Sequence, residues 1–168
     1  MKVIYPGSFD PITIGHLDII KRLDQMFDEV VVAILINEAK HSLFSIKERK
    51  QLIEEEIEEN KLENVKVKTF EGLLVDFAKK ENSKTIVRGI RAVTDYEYEI
   101  NIAQFNNKLY PGLETIFLLS DPKFSFISSS GIRELASFGG DVSKFVSKNV
   151  KKAIYEKNKL GGKNNGRY

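Results

Sequence analysis

The sequence contains no cysteine, and His16 and His41 are its only histidines. Without thiols the chain can form no disulfide bond, no cysteine nucleophile and no cysteine-based metal site. Two histidines also argue against a histidine-rich metal centre. We therefore expect no metal site built from protein ligands.

Long apolar runs and an excess of basic residues are also missing. No stretch approaches the ~20 apolar residues of a transmembrane helix, and the first residues enter a strand pattern without the features of a signal peptide. The 26 basic and 24 acidic residues leave a net charge of +2, which argues against the basic footprint of a nucleic-acid-binding protein. We expect a cytoplasmic enzyme or binding protein, with neither membrane nor nucleic acid as a partner.

Apolar patterns along the chain predict strands that alternate with helices. The predicted strands are 2–5, 29–36, 65–70, 85–87 and 114–119. The predicted helices are 15–27, 46–59, 72–80, 94–109, one that starts near 127–130, and two final segments at 141–145 and 149–157. This alternation predicts an α/β fold, a single-domain, Rossmann-like, doubly wound five-stranded parallel sheet with C-terminal helices. The domain spans 1–160, and the glycine-rich residues 161–168 form a flexible tail.

Four chemically distinctive segments follow predicted strands: 7–16, Lys40, 88–91 and 124–130. Doubly wound sheets bind ligands beyond the carboxyl ends of their strands, where the strand order reverses. The fold is therefore expected to bring these four segments into one crevice. Their convergence is stronger evidence for a site than any one of them alone.

The opening turn, residues 7–16, joins the first strand to the first helix. It holds two glycines and Pro11, directly after Pro6, and it ends where the unpaired N–H groups of a helix start can bind an anion. It lacks the G-x-G-x-x-G pattern of dinucleotide-binding proteins. We interpret it as a phosphate site to which Ser8 and His16 contribute, although Gly7 could simply form a tight connection and His16 could simply cap or pack.

The other segments also carry two interpretations each. Arg88 and Arg91 could bind phosphate bidentately, or could pair with the acids at 95, 97 and 99. Glu99 itself could orient an arginine or contact a ligand. The serines 128–130 could cap a helix or bind a polyphosphate, and the phenylalanines at 124 and 126 could pack in the core or on an adenine.

Taken together, these motifs resemble those of a known family. The opening turn resembles the T-x-G-H signature of the nucleotidyltransferase superfamily. The remaining motifs narrow the resemblance to the bacterial phosphopantetheine adenylyltransferases, over roughly residues 1–158. They are RGIRAV at 88–93, DYEYE at 95–99 and FISSS at 126–130. Ser8 departs from the family pattern, because many members have threonine there, but the hydroxyl is kept.

The resemblance implies a reaction and a set of site residues. ATP and 4'-phosphopantetheine would give dephospho-CoA and pyrophosphate, with Mg²⁺ assisting. The implied catalytic residues are His16, Lys40, Arg91 and Ser129. The implied ATP-binding residues are Ser8, Phe9, His16, Gly89, Ile90, Arg91, Glu99, Phe124, Ser125, Phe126, Ile127, Ser128, Ser129 and Ser130. The implied phosphopantetheine-binding residues are Ser8, Lys40, Leu73, Leu74, Arg88 and Asn106.

The resemblance also implies a homohexamer and feedback inhibition by coenzyme A. The rival interpretations are a relative with another acceptor, such as nicotinamide mononucleotide, or one that uses CTP with glycerol phosphate. A nucleotide sensor without activity, or an RNA-binding protein of the same fold, is the alternative from a different class. The 88–99 segment and the apolar Leu73-Leu74 pair argue against the other acceptors, and the near-neutral charge argues against RNA. The intact set of His16, Lys40 and Ser129 argues against a protein without activity.

Overall fold

The computed structural model of the protein describes residues 1–37 and 42–162. Its strands are β1 (Lys2–Gly7), β2 (Glu29–Ile36), β3 (Val65–Glu71), β4 (Thr85–Ile90) and β5 (Glu114–Leu119). Its helices are α1 (Ile14–Met26), α2 (Ile46–Glu59), α3 (Leu74–Lys80), α4 (Val93–Leu109), α5 (Ser129–Ser137) and α6 (Lys148–Gly162), with a short 3₁₀ turn at Pro122–Phe124.

The strands form one parallel sheet in the order β3-β2-β1-β4-β5. The chain moves outward from β1 through β2 to β3, then crosses back to β4 on the other side of β1. The strand order therefore reverses between β1 and β4, and the crevice expected for ligands lies at their carboxyl ends. The predicted α/β fold with a five-stranded parallel sheet is confirmed.

Side-chain burial explains this arrangement. The central run Val30–Ile34 of β2 is fully buried, as expected for a strand covered on both faces. Alternate residues of β1 face opposite sides of the sheet. Val3 and Tyr5 pack in a core with α1, α2, α5 and α6, while Ile4 packs in a second core that includes α3. Strand β3, whose apolar and polar residues alternate, lies at one edge of the sheet.

Local signals define most helix ends as predicted. Ser45 caps α2, accepting a hydrogen bond from the backbone N–H of Glu48, whose side chain accepts from the Ser45 N–H in return. Helix α4 ends at Leu109 with Tyr110 as its C-cap, and Gly112 follows with a φ of +84°, a conformation that favours glycine.

Two predictions about the elements are wrong. Strand β4 extends to Ile90, so Arg88, Gly89 and Ile90 lie within the strand instead of following it. Residues 141–145 form a turn and not a helix. The four-residue spacing of Val142 and Val146 imitates a helical period, but both side chains enter the core from an irregular segment. The tail prediction stays a prediction, because α6 runs to Gly162 and residues 163–168 lie outside the described part of the chain.

Candidate active site

A cavity of about 570 Å³ opens at the carboxyl ends of β1 and β4. Its walls come from the opening turn, the first turns of α1 and α4, the end of β4 and the serine-rich start of α5. The lining residues that the sequence singled out are Ser8, Phe9, His16, Arg88, Gly89, Arg91, Glu99, Phe124, Ile127, Ser128, Ser129 and Ser130. Segments that are up to about 120 residues apart therefore meet at the predicted crevice.

The opening turn is held in shape by the ring of Phe9. Phe9 is 1% exposed and has a φ of +46°, and its ring makes edge-to-face contacts with Tyr5 and His16. A Cβ at Gly7 would stand 2.9 Å from this ring. Gly7 is therefore required by the packing of Phe9, which holds a strained backbone conformation in the turn.

His16 performs two functions at the start of α1. Its Nδ1 accepts a hydrogen bond from the Thr13 N–H at 3.1 Å, while its own N–H donates to the Thr13 hydroxyl at 3.2 Å. The capping interpretation of His16 is thus correct, but it uses only one ring nitrogen. Because Nδ1 accepts, the neutral ring carries its proton on Nε2. The ring lines the cavity, so Nε2–H is the donor left for a ligand.

The charge state of His16 follows from its surroundings. Burial, followed by the positive charges of Arg91 and Arg88, lowers the pKa of His16 to about 4. The ring is therefore neutral near pH 7. It can donate a hydrogen bond to a phosphate oxygen without first being protonated.

This lowered pKa predicts a pH dependence of stability. Between about pH 4 and the ordinary value of 6.5, the unfolded chain binds more protons at His16 than the folded chain does. The free energy of unfolding should therefore increase as the pH rises through this window and decrease as the pH falls. The variant His16→Asn keeps an acceptor at the position of Nδ1 but does not titrate, so its curve should be flatter. Urea unfolding at several pH values checks this, and equal slopes in both proteins would contradict the assignment.

Asp10 links the opening turn to two distant elements. Its buried carboxylate accepts hydrogen bonds from the backbone N–H groups of Leu43, at 3.0 Å, and Phe44, at 2.9 Å. The guanidinium of Arg49 lies 3.6 Å from one carboxylate oxygen, and that of Arg133 lies 3.6 Å from the other. The carboxylate therefore fixes the turn against the segment before α2 and against α5.

The two arginines of the 88–91 segment are both ion-paired, as the alternative interpretation predicted. Arg88 donates from Nε to one carboxylate oxygen of Glu99 at 2.8 Å and from Nη2 to the other, and from Nη1 to the Pro6 carbonyl at 2.7 Å. Arg91 donates from Nε to Asp95 at 3.1 Å and from Nη1 to the carbonyl of Ile127 at 3.1 Å. Both guanidinium groups nevertheless line the cavity, so pairing orients them without removing them from it.

Hydrogen bonds from Arg91 also act on the acid that holds it. Although partial burial opposes the effect, the side chain and backbone of Arg91 hold the pKa of Asp95 below its ordinary value. Asp95 therefore stays ionised near neutral pH and remains a partner for the guanidinium.

The three serines at the start of α5 make three different contacts. Ser128 caps the helix by accepting from the Gly131 N–H at 3.0 Å, and Ser130 shares a 3.2 Å hydrogen bond with Ser128. Ser129 donates to the carbonyl of Pro11 at 2.8 Å, which ties α5 to the opening turn. Arg133 lies one turn later, four residues after Ser129, and also lines the cavity. Its position on the same helical face as Ser129 was the sequence signal that could have identified it.

A second cavity of about 290 Å³ adjoins the first. It shares Pro6, Gly7, Arg88, Tyr98 and Glu99 with the larger cavity. Most of its other lining is apolar, and the set includes three residues that the resemblance assigned to the acceptor: Leu73, Leu74 and Asn106. Arg88 thus stands at the boundary between a polar and an apolar cavity.

Some predicted site residues lie elsewhere. Ile90 is buried and Ser125 is outside the cavity lining, while Phe126 is 70% exposed with its ring edge-to-face on Phe145. Lys40 lies outside the described residues. Tyr98 joins the two cavities but was not assigned to the site, because a tyrosine among acids at a helix start carries no distinctive pattern.

The described residues were also searched for metal-binding clusters and for membrane-spanning helices. They contain no group of three or more His, Asp or Glu side chains placed to hold a metal ion. Among their helices, none is both long and apolar enough to cross a membrane.

Comparison with known proteins gives one consistent result. The model of the cytidylyltransferase-like family matches residues 4–135. The phosphopantetheine adenylyltransferase of Thermotoga neapolitana is 50% identical over 161 residues, covering 96% of this chain and 99% of that one. Its counterpart from Lachnoclostridium phytofermentans is 49% identical over 158 residues, covering 94% and 96%. The structure of Plasmodium falciparum nicotinic acid mononucleotide adenylyltransferase complexed with NaAD matches with a TM-score of 0.70 at 19% identity, covering 94% and 95%, which shows a shared fold.

Proposed function

The chain belongs to the phosphopantetheine adenylyltransferases, a cytidylyltransferase-like family, and we propose that its two adjoining cavities bring the two substrates of that reaction together at Arg88. The enzyme transfers the adenylyl group of ATP to 4'-phosphopantetheine, giving dephospho-CoA and pyrophosphate. The observation that carries the proposed geometry is the position of Arg88, where the polar cavity meets the apolar one.

The shape and chemistry of the cavities support this assignment of substrates. A pantetheine arm is long and combines methyl and methylene groups with two amides, and the smaller cavity offers it Leu73, Leu74 and Ile102 together with the amide of Asn106. The larger cavity offers cations, hydroxyls and the start of α5, all of which suit a triphosphate.

The reaction needs neither a protein nucleophile nor a general base. An oxygen of the acceptor phosphate, already anionic near neutral pH, attacks the α-phosphorus of ATP. The bond from the α-phosphorus to the bridging oxygen breaks, and pyrophosphate leaves with that electron pair. The protein's part is to align two anions and to neutralise the charge that develops.

Each side chain is assigned a part in that task. Ser8 and Arg88 hold the acceptor phosphate. The Nε2–H of His16 donates to the α-phosphate in transfer, and Lys40 is assigned to the same reaction. Arg91 and Ser129 stabilise the leaving phosphates, and the cationic side chain of Arg133 lines the same part of the cavity.

The nucleotide pocket is assigned along β4 and the segment before α5. Gly89 offers space there, since a Cβ would meet no atom closer than 3.7 Å. The remaining residues of this assignment are Phe9, Ile90, Phe124, Ser125, Phe126, Ile127, Ser128 and Ser130. Phe126 is largely exposed, so an adenine could reach its ring without displacing core side chains.

Nucleotidyltransferases that use ATP generally need a divalent metal ion, and we assign Mg²⁺ here. The acids that line the cavities do not offer a ready cage for it, because Asp95 and Glu99 are paired with Arg91 and Arg88. The phosphate oxygens of ATP are therefore its main ligands, as is common for this ion. Bound there, Mg²⁺ would add positive charge to the triphosphate.

Exposed apolar side chains on α4 support self-association, which we assign as a homohexamer. Val93, Tyr98, Phe105 and Leu109 are all more than half exposed, and Leu119 at the end of β5 is 70% exposed. Apolar area of this kind marks an interaction surface. Light scattering should give six times the 19.2 kDa chain mass, and a monomer mass would contradict the assignment.

Three further assignments concern feedback inhibition, cellular location and the bounds of the domain. Coenzyme A contains the same pantetheine arm as the acceptor, so it would compete for the apolar cavity and act as a feedback inhibitor. We place the enzyme in the cytoplasm, where both substrates are available. We assign residues 1–160 as the catalytic domain.

The acceptor side of the site is tested with Arg88→Ala. Removing the guanidinium should weaken phosphopantetheine binding at least tenfold, because charge-assisted bidentate contacts to phosphate are lost, and should change ATP binding much less. Titration calorimetry with each substrate separately measures both effects. Arg22→Ala, on α1 outside both cavities, is the matched control. A larger loss for ATP than for phosphopantetheine would move Arg88 to the nucleotide side.

A further inference from the structure

Tyr5 of β1 carries a buried hydroxyl group that makes no hydrogen bond within the described part of the chain. The residue is 5% exposed. It belongs to the lining of the larger cavity and not to that of the smaller one. The little surface that Tyr5 exposes therefore faces the cavity that is assigned to ATP.

The neighbours of this hydroxyl place it beside the backbone of β4. Ile4 pairs with Ile86 in the sheet, so Tyr5 and Gly89 face the same side of it. The hydroxyl oxygen lies 3.7 Å from the point where a Cβ would stand at Gly89, which also lines the cavity. Because glycine has no side chain to fill this space, a ligand in the cavity can approach the hydroxyl.

Packing explains the ring of Tyr5 but not its hydroxyl. The ring makes an edge-to-face contact with Phe9, with the centroids 5.6 Å apart, and Phe9 makes another with His16 at 5.1 Å. A phenylalanine at position 5 would keep the first of these contacts. A buried polar group without a hydrogen bond costs free energy, and such groups are rare in folded proteins. The hydroxyl is therefore best explained by a partner that the chain does not supply.

The charge state of the hydroxyl limits what that partner can be. Burial raises the pKa of Tyr5 to about 12, although the positive charges of Arg88 and Arg91 oppose the shift. The group is therefore a neutral phenol near pH 7, and it can donate one hydrogen bond and accept another. A ribose hydroxyl also does both, whereas phosphate oxygens only accept and are already matched by the guanidinium groups of the site.

We propose that the Tyr5 hydroxyl binds a ribose hydroxyl of ATP and thereby favours ribonucleotides over deoxynucleotides. Tyr5 lies beside Gly89, which is assigned to the nucleotide, and one ring away from His16, which is assigned to the α-phosphate. The ribose is the part of ATP that is bonded to this phosphate on the nucleoside side. The inference rests on the proposed function, in which the larger cavity holds ATP.

The variant Tyr5→Phe removes the hydroxyl and keeps the ring contact with Phe9. Titration calorimetry should show ATP binding weakened about three- to tenfold, the scale of one neutral hydrogen bond. Phosphopantetheine binding should stay within about twofold of wild type. The urea midpoint should not fall, because no hydrogen bond within the chain is lost. Tyr155→Phe is the matched control, since Tyr155 lies outside both cavities with its ring beside Lys151, and it should change none of these values.

Deoxynucleotides identify the group that Tyr5 contacts. One of 2'-deoxy-ATP and 3'-deoxy-ATP lacks the hydroxyl that Tyr5 binds, and this analogue should bind wild type and Tyr5→Phe with equal affinity. The other analogue should keep the three- to tenfold difference between the two proteins. Such a pattern is the coupling expected of two groups in direct contact.

Four outcomes would overturn the inference. Equal ATP affinity of wild type and Tyr5→Phe would show that the hydroxyl does not contact the nucleotide. A difference that persists with both deoxynucleotides would place the contact away from the ribose. A lower urea midpoint would make the hydroxyl a structural group, and an equal loss of phosphopantetheine binding would remove its preference for ATP. Wild-type protein that does not bind ATP would instead contradict the proposed function.

Discussion

Replacing His16 with alanine is expected to lower turnover about 10²–10³-fold, the scale for losing one donor to a transition state. The ring is neutral, with a pKa of about 4, and its Nδ1 is held by the Thr13 N–H. Its Nε2–H is therefore the ring donor left for a ligand in the cavity, where we propose that the α-phosphate is transferred. Affinity for ATP should fall much less than turnover, because the ground state carries less charge at that oxygen. Steady-state kinetics and ATP titration measure the two effects.

Two further variants separate the catalytic role of His16 from its capping role. His16→Asn keeps an acceptor at the Nδ1 position, so it can still cap α1 through Thr13, but it has no donor at Nε2. His16→Gln places an amide N–H at the Nε2 position but loses the capping acceptor. We expect the asparagine variant to be stable and slow, and the glutamine variant to be less stable and more active. Wild-type turnover in the asparagine variant would reduce His16 to a helix cap.

Replacing Asp10 with alanine is expected to reduce the free energy of unfolding by about 3–5 kcal/mol, the range for breaking a buried ion pair from one side. The change leaves the N–H groups of Leu43 and Phe44 without their acceptor, and it removes the counter-charge of Arg49, which is 5% exposed. Urea unfolding measures the loss.

Asp76→Ala is the control for this effect, because Asp76 forms an exposed ion pair with Lys79 at 3.4 Å. Exposed pairs of this kind contribute about 0–1 kcal/mol, so the control should remain close to wild type. A similar small loss for Asp10→Ala would mean that the Asp10 contacts do not hold the opening turn in place.

Local patterns explain which elements the sequence predicts well. The continuous apolar run of β2 and the Ser45–Glu48 capping box are signals contained within a few residues, and both are found where expected. Strand β4 was predicted too short because Arg88 and Gly89 interrupt its apolar pattern, although both lie in the strand. Both residues lie near the carboxyl end of the strand, which lines a cavity instead of a core, and pattern alone cannot reveal this.

The site, too, has features that the sequence predicts and features that it does not. The predicted convergence of the opening turn, the 88–91 segment and the serine-rich start of α5 is found, since topology alone brings them together. Asp10 was not singled out, because its partners lie 33 to 123 positions away and a single acid in a loop carries no pattern. The sequence leaves the pairing of Glu99 with Arg88 as one of two alternatives, because the pair depends on how α4 lies against β4.

In the proposed function, one crevice joins ATP to a phosphate carried on a pantetheine arm. The test is pyrophosphate release, measured with ATP and each of several acceptors. We expect rapid release with 4'-phosphopantetheine, none above background with pantetheine, and little with nicotinic acid mononucleotide or glycerol phosphate, with one dephospho-CoA formed for each pyrophosphate. Faster release with either of the last two acceptors than with phosphopantetheine, or release without any acceptor, would contradict it.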